Sequence, residues 1–595
     1  MCGIFACSQV ENASECVFEG LRRLEYRGYD SWGVAGVGNP AITITKKAGK
    51  ISGEVGRAFN PNAKVAIGHT RWATHGGVTD ANAHPHLAQS GAFTLVQNGV
   101  VENYQELKTE LLNKGYKFQS ETDTEVIVGL LEQQVQKVER LEPTLADVQF
   151  VFRQLTGRNT IAVVTKSGWL FAVRDGSPLV LGCTDDNQVF LSSDTLSMAA
   201  QATRYYALES GQAVAISPAG QWQCYAVDSG QEITVELQQL DFNDQKLTHD
   251  GFDSFMEKEI HEQSTVLSNI FLQGEDQFAE VAEHLKRAQH VLVVGAGGAA
   301  FAAGQVAWYL RGAGIHASMV PSYEANSFVQ LASKQDCAII LSQSGETADT
   351  NEVVEQLKAR GVTIISVVNM RGSTLSQQLS DVSCMLGVGP EIAVASTKAT
   401  QAHVLWGWAI AGYLSGIAFA DLLGKTKESE QLIATWLEDA AIQKNIRNST
   451  AELAGHEHQF ILGRGELYFA AAEAALKLKE VSYTHAESFS GGELKHGMIA
   501  LIEQGTPVFF MVQDDQDYHG QVNAMAEVKA RGGRILGVSP AHNELFDDWI
   551  QVPQLSVSGV IAQILPFQVL TCEIAKLAGR NPDKPRNLAK SVTVK

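Results

Sequence analysis

Along roughly the first 240 residues, apolar positions fall in short runs separated by turn residues, as in Ala41–Thr45, Val65–Gly68, Phe93–Val96, Thr160–Val164, Leu170–Val173 and Ala213–Ile216. Runs of that length bounded by turn formers predict strands. Helical spacing intervenes at Ala13–Leu24, Tyr104–Lys114 and Asp123–Val135. The last of these opens on Thr122-Asp123-Thr124-Glu125, which puts acids in its first turn. The mixture predicts a layered α+β domain with antiparallel sheets over residues 1–240. Residues 241–253 are polar and weakly periodic and predict a linker, with a helix-rich segment over Ser254–Leu272.

From about residue 285 the pattern becomes buried strand, glycine turn, helix, repeated. Val291–Gly295, Cys337–Leu341 and Thr363–Val368 are such strands, and Phe460–Gly463, Pro507–Val512 and Arg534–Val538 repeat the grammar after a long helical stretch. This predicts parallel α/β architecture. The matching glycine openings at Gly295 and Gly463, the second leading into a helix over Ala470–Val481, predict two copies of one fold, in domains 254–425 and 426–595.

Composition narrows the function classes. The 595 residues carry a formal net charge of -20, which disfavours a sequence-independent grip on nucleic acid or an anionic membrane. None of the 8 cysteines forms C-x-x-C, so neither a disulfide framework nor a zinc site is expected, and a reducing cytoplasm is. No basic stretch followed by an apolar run opens the chain, and the apolar stretch Val404–Ala420 reads as a buried helix rather than a membrane span.

The candidate chemistry begins at Cys2. If Met1 is removed, one residue carries both a nucleophilic thiol and an α-amine that titrates at about 7.7–8.0, near the working pH of a general base. Taken alone, Cys2 reads more simply as a small residue in a first strand. A thiol attacking an amide creates an oxyanion that needs donors, and Asn98-Gly99 offers an amide side chain and an unhindered N–H, though the pair is also a common turn. A free amino acid substrate needs a guanidinium for its carboxylate, for which Arg71 is the candidate, and an acid for its ammonium, for which Asp123 is. Ala83-His84-Pro85-His86 lacks a third ligand, so no metal is expected.

In the second half, Ser342-Gln343-Ser344-Gly345-Glu346-Thr347 lies between a strand and a helix, a cradle for phosphate without formal charge. Lys477 and Glu480 share a helix face, as an ordinary ion pair also would. His496 sits in a glycine-bounded loop, and a lysine in the tail Pro585–Val594 is a candidate Schiff-base donor if the tail folds over a pocket. Gly295-Ala296-Gly297-Gly298-Ala299-Ala300 also fits a dinucleotide fingerprint, but the next strand, near Ser318–Val320, does not end in the acid that would hold a ribose.

Cys2-Gly3-Ile4, Leu21–Ser31, His69–Gly76 and Ser120–Glu125 together resemble the N-terminal-nucleophile glutaminase domain of the glutamine–fructose-6-phosphate aminotransferase family. Ser342–Thr350, Val394–Ala399, Gly492–Gly497 and Pro585–Val594 resemble its sugar isomerase half, built of paired SIS folds, so the resemblance spans essentially the whole chain. It implies an α+β glutaminase domain followed by two α/β SIS domains, the second ending in a tail that covers the substrate. It implies Cys2 as nucleophile with its own amine as base, Asn98 and Gly99 as oxyanion hole, and Arg71, Thr74, His75 and Asp123 as glutamine ligands. Arg27 would help close that site and Trp72 would gate ammonia. By the same resemblance Ser342, Gln343, Ser344 and Thr347 bind the sugar phosphate, and Val394, Ser396 and Ala589 line the sugar site. Lys590 forms an imine with the ketose, His496 opens the sugar ring across a dimer interface, and Glu480 moves a proton between C1 and C2 with Lys477 assisting.

The implied reaction turns glutamine and fructose 6-phosphate into glutamate and glucosamine 6-phosphate, with ammonia passed internally, no cofactor, and a cytoplasmic homodimer. Phe5-Ala6, Trp32 and Gln97 depart from the family beside the first site. Ala299-Ala300 stand where the family has Thr-Ser, which points to weaker sugar binding, or to an amidotransferase or deaminase acting on a different sugar phosphate.

Overall fold

The strand Gly3–Ser8 lies in the middle of its sheet and is buried on both faces. It pairs antiparallel with Val65–Arg71 on one side and with Val189–Ser192 on the other. Side chains alternate across a strand, so Ile4 and Ala6 enter one core while Phe5 and Cys7 enter another. That double burial is why the strand reads as an unbroken apolar run.

The computed structural model describes every residue except 1, 39–40, 55–58, 240–247, 454, 457 and 593–595. The chain forms two units, residues 1–247 with 591–595, and residues 248–590. Most of the linker expected at 241–253 lies outside the described residues.

The first unit stacks two antiparallel sheets, of 8 and 7 strands among the described residues. Their facing sides form one core, in which Ile4 and Ile67 meet Val96, Val164 and Leu170. The helix Ala13–Arg23 covers the outer face of the first sheet. The helices Tyr104–Asn113, Thr124–Lys137 and Leu145–Phe152 cover the outer face of the second. The six strand runs and three helical patterns read from this part of the sequence all fall in elements of the expected type. The large residues at two positions that depart from the family are absorbed by packing. A Cβ on Gly20 would stand 2.6 Å from the Phe5 ring, so glycine there lets the helix settle onto Phe5, and Trp32 stacks edgewise on Phe18 at 5.3 Å.

The second unit contains two five-stranded parallel sheets with the same strand order. One runs Ala317–Pro321, Val291–Gly295, Cys337–Ser342, Thr363–Val368, Val382–Met385. The other runs His485–Ser490, His458–Gly463, Pro507–Met511, Arg534–Ser539, Asp548–Gln551. The repeat read from the glycine openings is therefore a repeat of topology. In such sheets the crevice beyond the carboxyl ends of the strands, where the order reverses, is the natural ligand site. Here it lies between the ends of Val291–Gly295 and Cys337–Ser342. One hydrophobic core runs through both repeats, from Met256 to Ala575.

The stretch Val404–Ala420 is not a single helix. The helix Lys398–Leu414 ends where Gly416 takes φ +90°, and a second helix, Phe419–Glu438, begins after it. Gly559–Leu577 is long and apolar enough to cross a membrane by length and composition only, and most of it is buried in the shared core.

Candidate active sites

Cys2 stands at the head of the central strand of the first unit. Its Sγ accepts a hydrogen bond from the Trp72 N–H at 3.2 Å, and the Trp72 carbonyl lies 3.5 Å away. Burial pushes the thiol above its ordinary value, against the opposing pull of the Trp72 N–H and the Arg71 guanidinium. A thiol held protonated in this way needs a base before it can attack.

Asn98, near the end of the strand Phe93–Gly99, donates from Nδ2 to the Cys2 carbonyl at 3.2 Å and to Ser193 Oγ at 2.9 Å. Its Oδ1 lies 3.1 Å from His69 Nε2, which also meets the Gln97 carbonyl at 2.8 Å. Both partners are acceptors, so Nε2 carries the proton, and burial pushes His69 down to about 3, which leaves the ring neutral. Asn98 is thus fixed beside Cys2, with its amide engaged by Ser193 and the Cys2 carbonyl. Gly99 has φ +135°, and a Cβ there would lie 2.2 Å from the Arg158 carbonyl, which closes the position to every other residue. Arg27 Nε donates to the Cys2 carbonyl at 3.4 Å, and its guanidinium lies 3.8 Å from Asp194.

The residues expected to hold a free amino acid are less uniformly placed. The Arg71 guanidinium is braced by the carbonyls of His75, Gly76 and Gly77, the last at 3.1 Å. Asp123 is buried, accepts the Val101 N–H at 2.8 Å, and is raised above the usual carboxylate range by burial. Thr74 is exposed, His75 packs edgewise on Tyr104 at 4.9 Å, and Trp72 packs edgewise on Tyr29 at 5.6 Å.

The histidines that raised the question of a metal form a buried stack. His84 lies 4.3 Å from His69 and 4.9 Å from His86, ring to ring. His84 Nε2 pairs with Thr124 at 3.1 Å and His86 Nε2 with Thr122 at 3.0 Å, while burial lowers both pKa values. Among the described residues, no group of three or more His, Cys, Asp and Glu is arranged to hold a metal ion. Sequence reasoning missed Ser193, whose hydroxyl joins the Asn98 amide to the Ile4 N–H at 2.8 Å. Its only signal was a polar run directly after a strand.

In the second unit, Ser342 ends a central strand, and its hydroxyl accepts the Gly345 N–H at 2.9 Å. Gly345 has φ +66° and no room for a side chain, because a Cβ would meet Ser373 Oγ at 2.2 Å. Ser344 Oγ accepts the Glu346 N–H at 3.2 Å. The Glu346 carboxylate is turned away, onto the Thr374 N–H and hydroxyl, each at 2.8 Å. Gln343, Ser344 and Thr347 remain half-buried at the start of the helix Ala348–Ala359, with Ser342 buried beneath them. This loop can take an anion at a helix N-terminus. Ala299 and Ala300, in the first turn of the helix Gly298–Gly312, supply no hydroxyl.

Lys590 is almost wholly buried. Its Nζ meets Glu391 Oε2 at 2.5 Å and donates to the Ala393 carbonyl at 2.8 Å. Burial alone would raise Glu391, but Lys590, with the Thr397 and Ala399 N–H groups, pulls it down to about 2. Ser396 donates to the same carboxylate at 2.9 Å, and Val394 donates its N–H to the Asp583 carbonyl at 3.0 Å. Ala589 is half-buried beside Lys590.

Glu259, on the helix Phe255–Val266, faces this cluster from below. Burial, then repulsion from Glu391, pushes it up to about 8, and it accepts the Ile392 and Ala393 N–H groups at 2.5 and 3.2 Å. At low pH both folded and unfolded chains hold its proton. As pH climbs from about 4.5 toward about 8, only the unfolded chain releases it, so stability falls across that window. Glu259→Gln mimics the protonated form. It should unfold at the wild-type temperature near about pH 5 and at a higher temperature near about pH 8.5, as read by scanning calorimetry.

Lys477 is buried between Glu480 at 2.6 Å and Glu473 at 3.3 Å. Burial would lower it, but the two carboxylates outweigh that and raise it. Glu473 is itself raised to about 7 by burial. Glu480 sits on a π-helical turn, Leu478–Ser482, of the kind often found at functional positions. His496 lies exposed in the turn Leu494–His496, and among the described residues no hydrogen bond or ion pair joins it to Glu480, Lys477 or Lys590. Sequence reasoning missed Glu391, Glu259 and Glu473. Glu473 stands one turn before Lys477, a signal of a pair, but nothing in the sequence marks the two others as buried.

Known proteins agree with both halves. A glutamine amidotransferase domain profile matches residues 52–215, and a SIS domain profile matches residues 284–412 and 452–544. A glutamine--fructose-6-phosphate aminotransferase [isomerizing] of Corynebacterium glutamicum is 36% identical, over 98% of this chain and 97% of its own. One of the same name from Pyrobaculum aerophilum is 37% identical over 100% of both chains. Among solved structures, the C-terminal domain of a glucosamine-fructose-6-phosphate aminotransferase from Francisella tularensis covers 57% of this chain and 99% of its own, at 28% identity and a TM-score of 0.51. Full-length identity at this level, with both domain types in order, places the chain in the isomerizing glutamine–fructose-6-phosphate aminotransferase family.

Proposed function

We infer that this chain converts glutamine and fructose 6-phosphate into glutamate and glucosamine 6-phosphate. The observation that carries this is a nucleophile-plus-lysine pairing in a chain similar end to end to relatives of one name: Cys2 beside Asn98, and Lys590 buried beside Glu391.

In the glutaminase half, removal of Met1 frees the Cys2 amine. That amine takes the thiol proton as Sγ attacks the glutamine amide carbon. Asn98 and Gly99 receive the oxyanion, and Arg71, Thr74, His75 and Asp123 hold the amino acid end, with Arg27 closing the site and Trp72 gating ammonia. Ammonia leaves, and water releases glutamate from the thioester. In the isomerase half, Ser342, Gln343, Ser344 and Thr347 hold the phosphate, Val394, Ser396 and Ala589 line the sugar, and His496 opens its ring. Lys590 condenses with the C2 carbonyl, losing water, and ammonia then displaces the lysine. Glu480, assisted by Lys477, takes a proton from C1 and returns it at C2, leaving an aldose with an amine at C2. No cofactor is required, because imine and thioester activate the two carbonyl carbons. A homodimer would supply His496 from the partner, which accords with its exposure within one chain.

Product identification by mass spectrometry, with glutamine and fructose 6-phosphate supplied together, tests the reading. Glutamate release without amino sugar would overturn it. The full-length relatives do not favour a different sugar phosphate. The missing hydroxyls bear instead on affinity: Ala300→Ser should lower KM for fructose 6-phosphate by about tenfold or more, the worth of one hydrogen bond to a charged group.

A further inference from the structure

The tail that ends in Lys590 is laced to the turn that carries Glu480 through one side chain. Tyr483 directly follows that π-helical turn, and it takes a left-handed conformation, φ 55° and ψ 24°, that a bulky residue rarely adopts. Strain of this kind persists where the surroundings enforce it. Here Tyr483 caps the turn, its N–H donating to the Leu478 carbonyl, and the tail packs on its side chain. The Tyr483 hydroxyl accepts the Arg586 N–H at 2.7 Å, and the guanidinium groups of Arg586 and Arg580 lie over its ring at 4.3 and 4.7 Å. Arg580 also donates to the carbonyl of Ser482, so the tail is tied to Ser482-Tyr483 at two points six residues apart in sequence.

Between those points Asp583 accepts the N–H groups of Phe255 and Met256 at 3.0 and 2.8 Å, at the start of a helix. Beyond them Asn587 turns the chain with φ 60°, and Lys590 reaches Glu391. A cleft of about 420 Å³ opens where Glu480, Tyr483, Arg586 and Asn587 meet. The anchor thus stands in the same cleft as Glu480.

We propose that Tyr483 is a positioning residue for the sugar chemistry, holding the tail so that the Lys590 amine and the Glu480 carboxylate address the same sugar. This rests on the roles given above to Lys590 and Glu480. Tyr483 touches neither reacting group. Its effect is to fix the register of the tail relative to the Glu480 turn, and displacements of about 1 Å in such geometry cost up to about a hundredfold in rate.

The test uses the full chain and three variants. Tyr483→Gly keeps a residue at home in the left-handed conformation, so folding is spared while hydroxyl and ring are lost. Tyr483→Phe keeps the ring and loses the acceptor, and Lys590→Arg is the control. Lys590 condenses with fructose 6-phosphate to an imine with loss of water, and borohydride reduces that to a stable secondary amine read by intact mass. Tyr483→Gly should trap sugar on Lys590 and turn over at least about tenfold more slowly, with KM for fructose 6-phosphate within about twofold, an unchanged unfolding temperature and unchanged glutamine hydrolysis without sugar. Tyr483→Phe should fall between Tyr483→Gly and wild type.

Trapping and kcat within about twofold of wild type in Tyr483→Gly would overturn the proposal, as would losses that only follow a lowered unfolding temperature. If wild type trapped no sugar at all, or Lys590→Arg trapped it equally, the lysine reading itself would fall and take this proposal with it.

Discussion

Cys2→Ala protein should release no measurable glutamate from glutamine, a fall of about 10⁴-fold or more, while still making glucosamine 6-phosphate from ammonia and fructose 6-phosphate. The size follows from the thiol's surroundings. Burial holds the Cys2 sulfur protonated, and its hydrogen bond from the Trp72 N–H positions it without activating it strongly. Among the described neighbours of the thiol, Asn98 is an amide, Arg27 and Arg71 are cations, neutral His69 donates its proton to Gln97 and Asn98, and the Asp30 carboxylate accepts the Ala73 N–H. Nucleophile and base act as one unit, so removing the nucleophile forfeits nearly the whole effect.

The fold should survive, because the substitution removes only the sulfur contacts to Trp72. Ammonia-driven synthesis should persist because the groups proposed for it lie in residues 248–590. Glutamate release and amino sugar formation, measured separately on the same preparation, check both halves. Cys2→Ala protein that hydrolysed glutamine at the wild-type rate would remove the thiol from the mechanism. In wild type, glutaminase turnover should rise with pH through about 7.7–8.0, where an α-amine loses its proton and becomes a base.

The six strand runs read in the first unit were legible because each is short, largely apolar and bounded by turn formers, whereas short polar strands such as Glu232–Ile233 and Gln238–Gln239 carry no such signal. The parallel half was legible from its glycine turns, which end strands where the chain must fold back into a helix. What could not be read was the interior of the charged clusters. Glu391 looks like any glutamate after a proline, yet donors from Lys590, Ser396, Thr397 and Ala399 converge on it. That convergence joins residues about 200 positions apart, and no local pattern encodes it.

The same limit applies to the amide of Asn98. Sequence marks it as a candidate oxyanion donor, but only the fold reveals that it is held by Ser193 and the Cys2 carbonyl. The apolar stretch Val404–Ala420 fails for the opposite reason. Its hydrophobicity is continuous, and a single glycine in a left-handed conformation, Gly416, divides it. His496 shows a further boundary: its loop is recognisable, but within one chain it lies exposed, and among the described residues no hydrogen bond or ion pair joins it to Glu480, Lys477 or Lys590.

Lys590→Arg should abolish glucosamine 6-phosphate synthesis, by about 10⁴-fold or more, and leave glutamine hydrolysis without sugar unchanged. Arginine is the informative replacement because of Glu391. That carboxylate is fully buried and, against the effect of burial, is held down to about 2 chiefly by Lys590. Lys590→Ala would strand a buried anion, a cost of about 3–5 kcal/mol when one partner of such a pair is removed. Loss of activity in the alanine variant would then confuse missing chemistry with a collapsed site. Arginine keeps a cation for Glu391 and for the Ala393 carbonyl, yet it stays protonated and cannot form an imine.

The two variants should therefore separate in stability while agreeing in inactivity. Lys590→Arg should unfold near the wild-type temperature, and Lys590→Ala well below it. Because Glu391 is depressed, the stability its pairing contributes is present above about pH 4.5 and lost as pH falls toward about 2, so the gap between the variants should close on acidification. Calorimetry across that range, with amino sugar formation measured at neutral pH, reads both effects. A Lys590→Arg protein that still made product at the wild-type rate would exclude a lysine imine, whatever the fate of the ion pair.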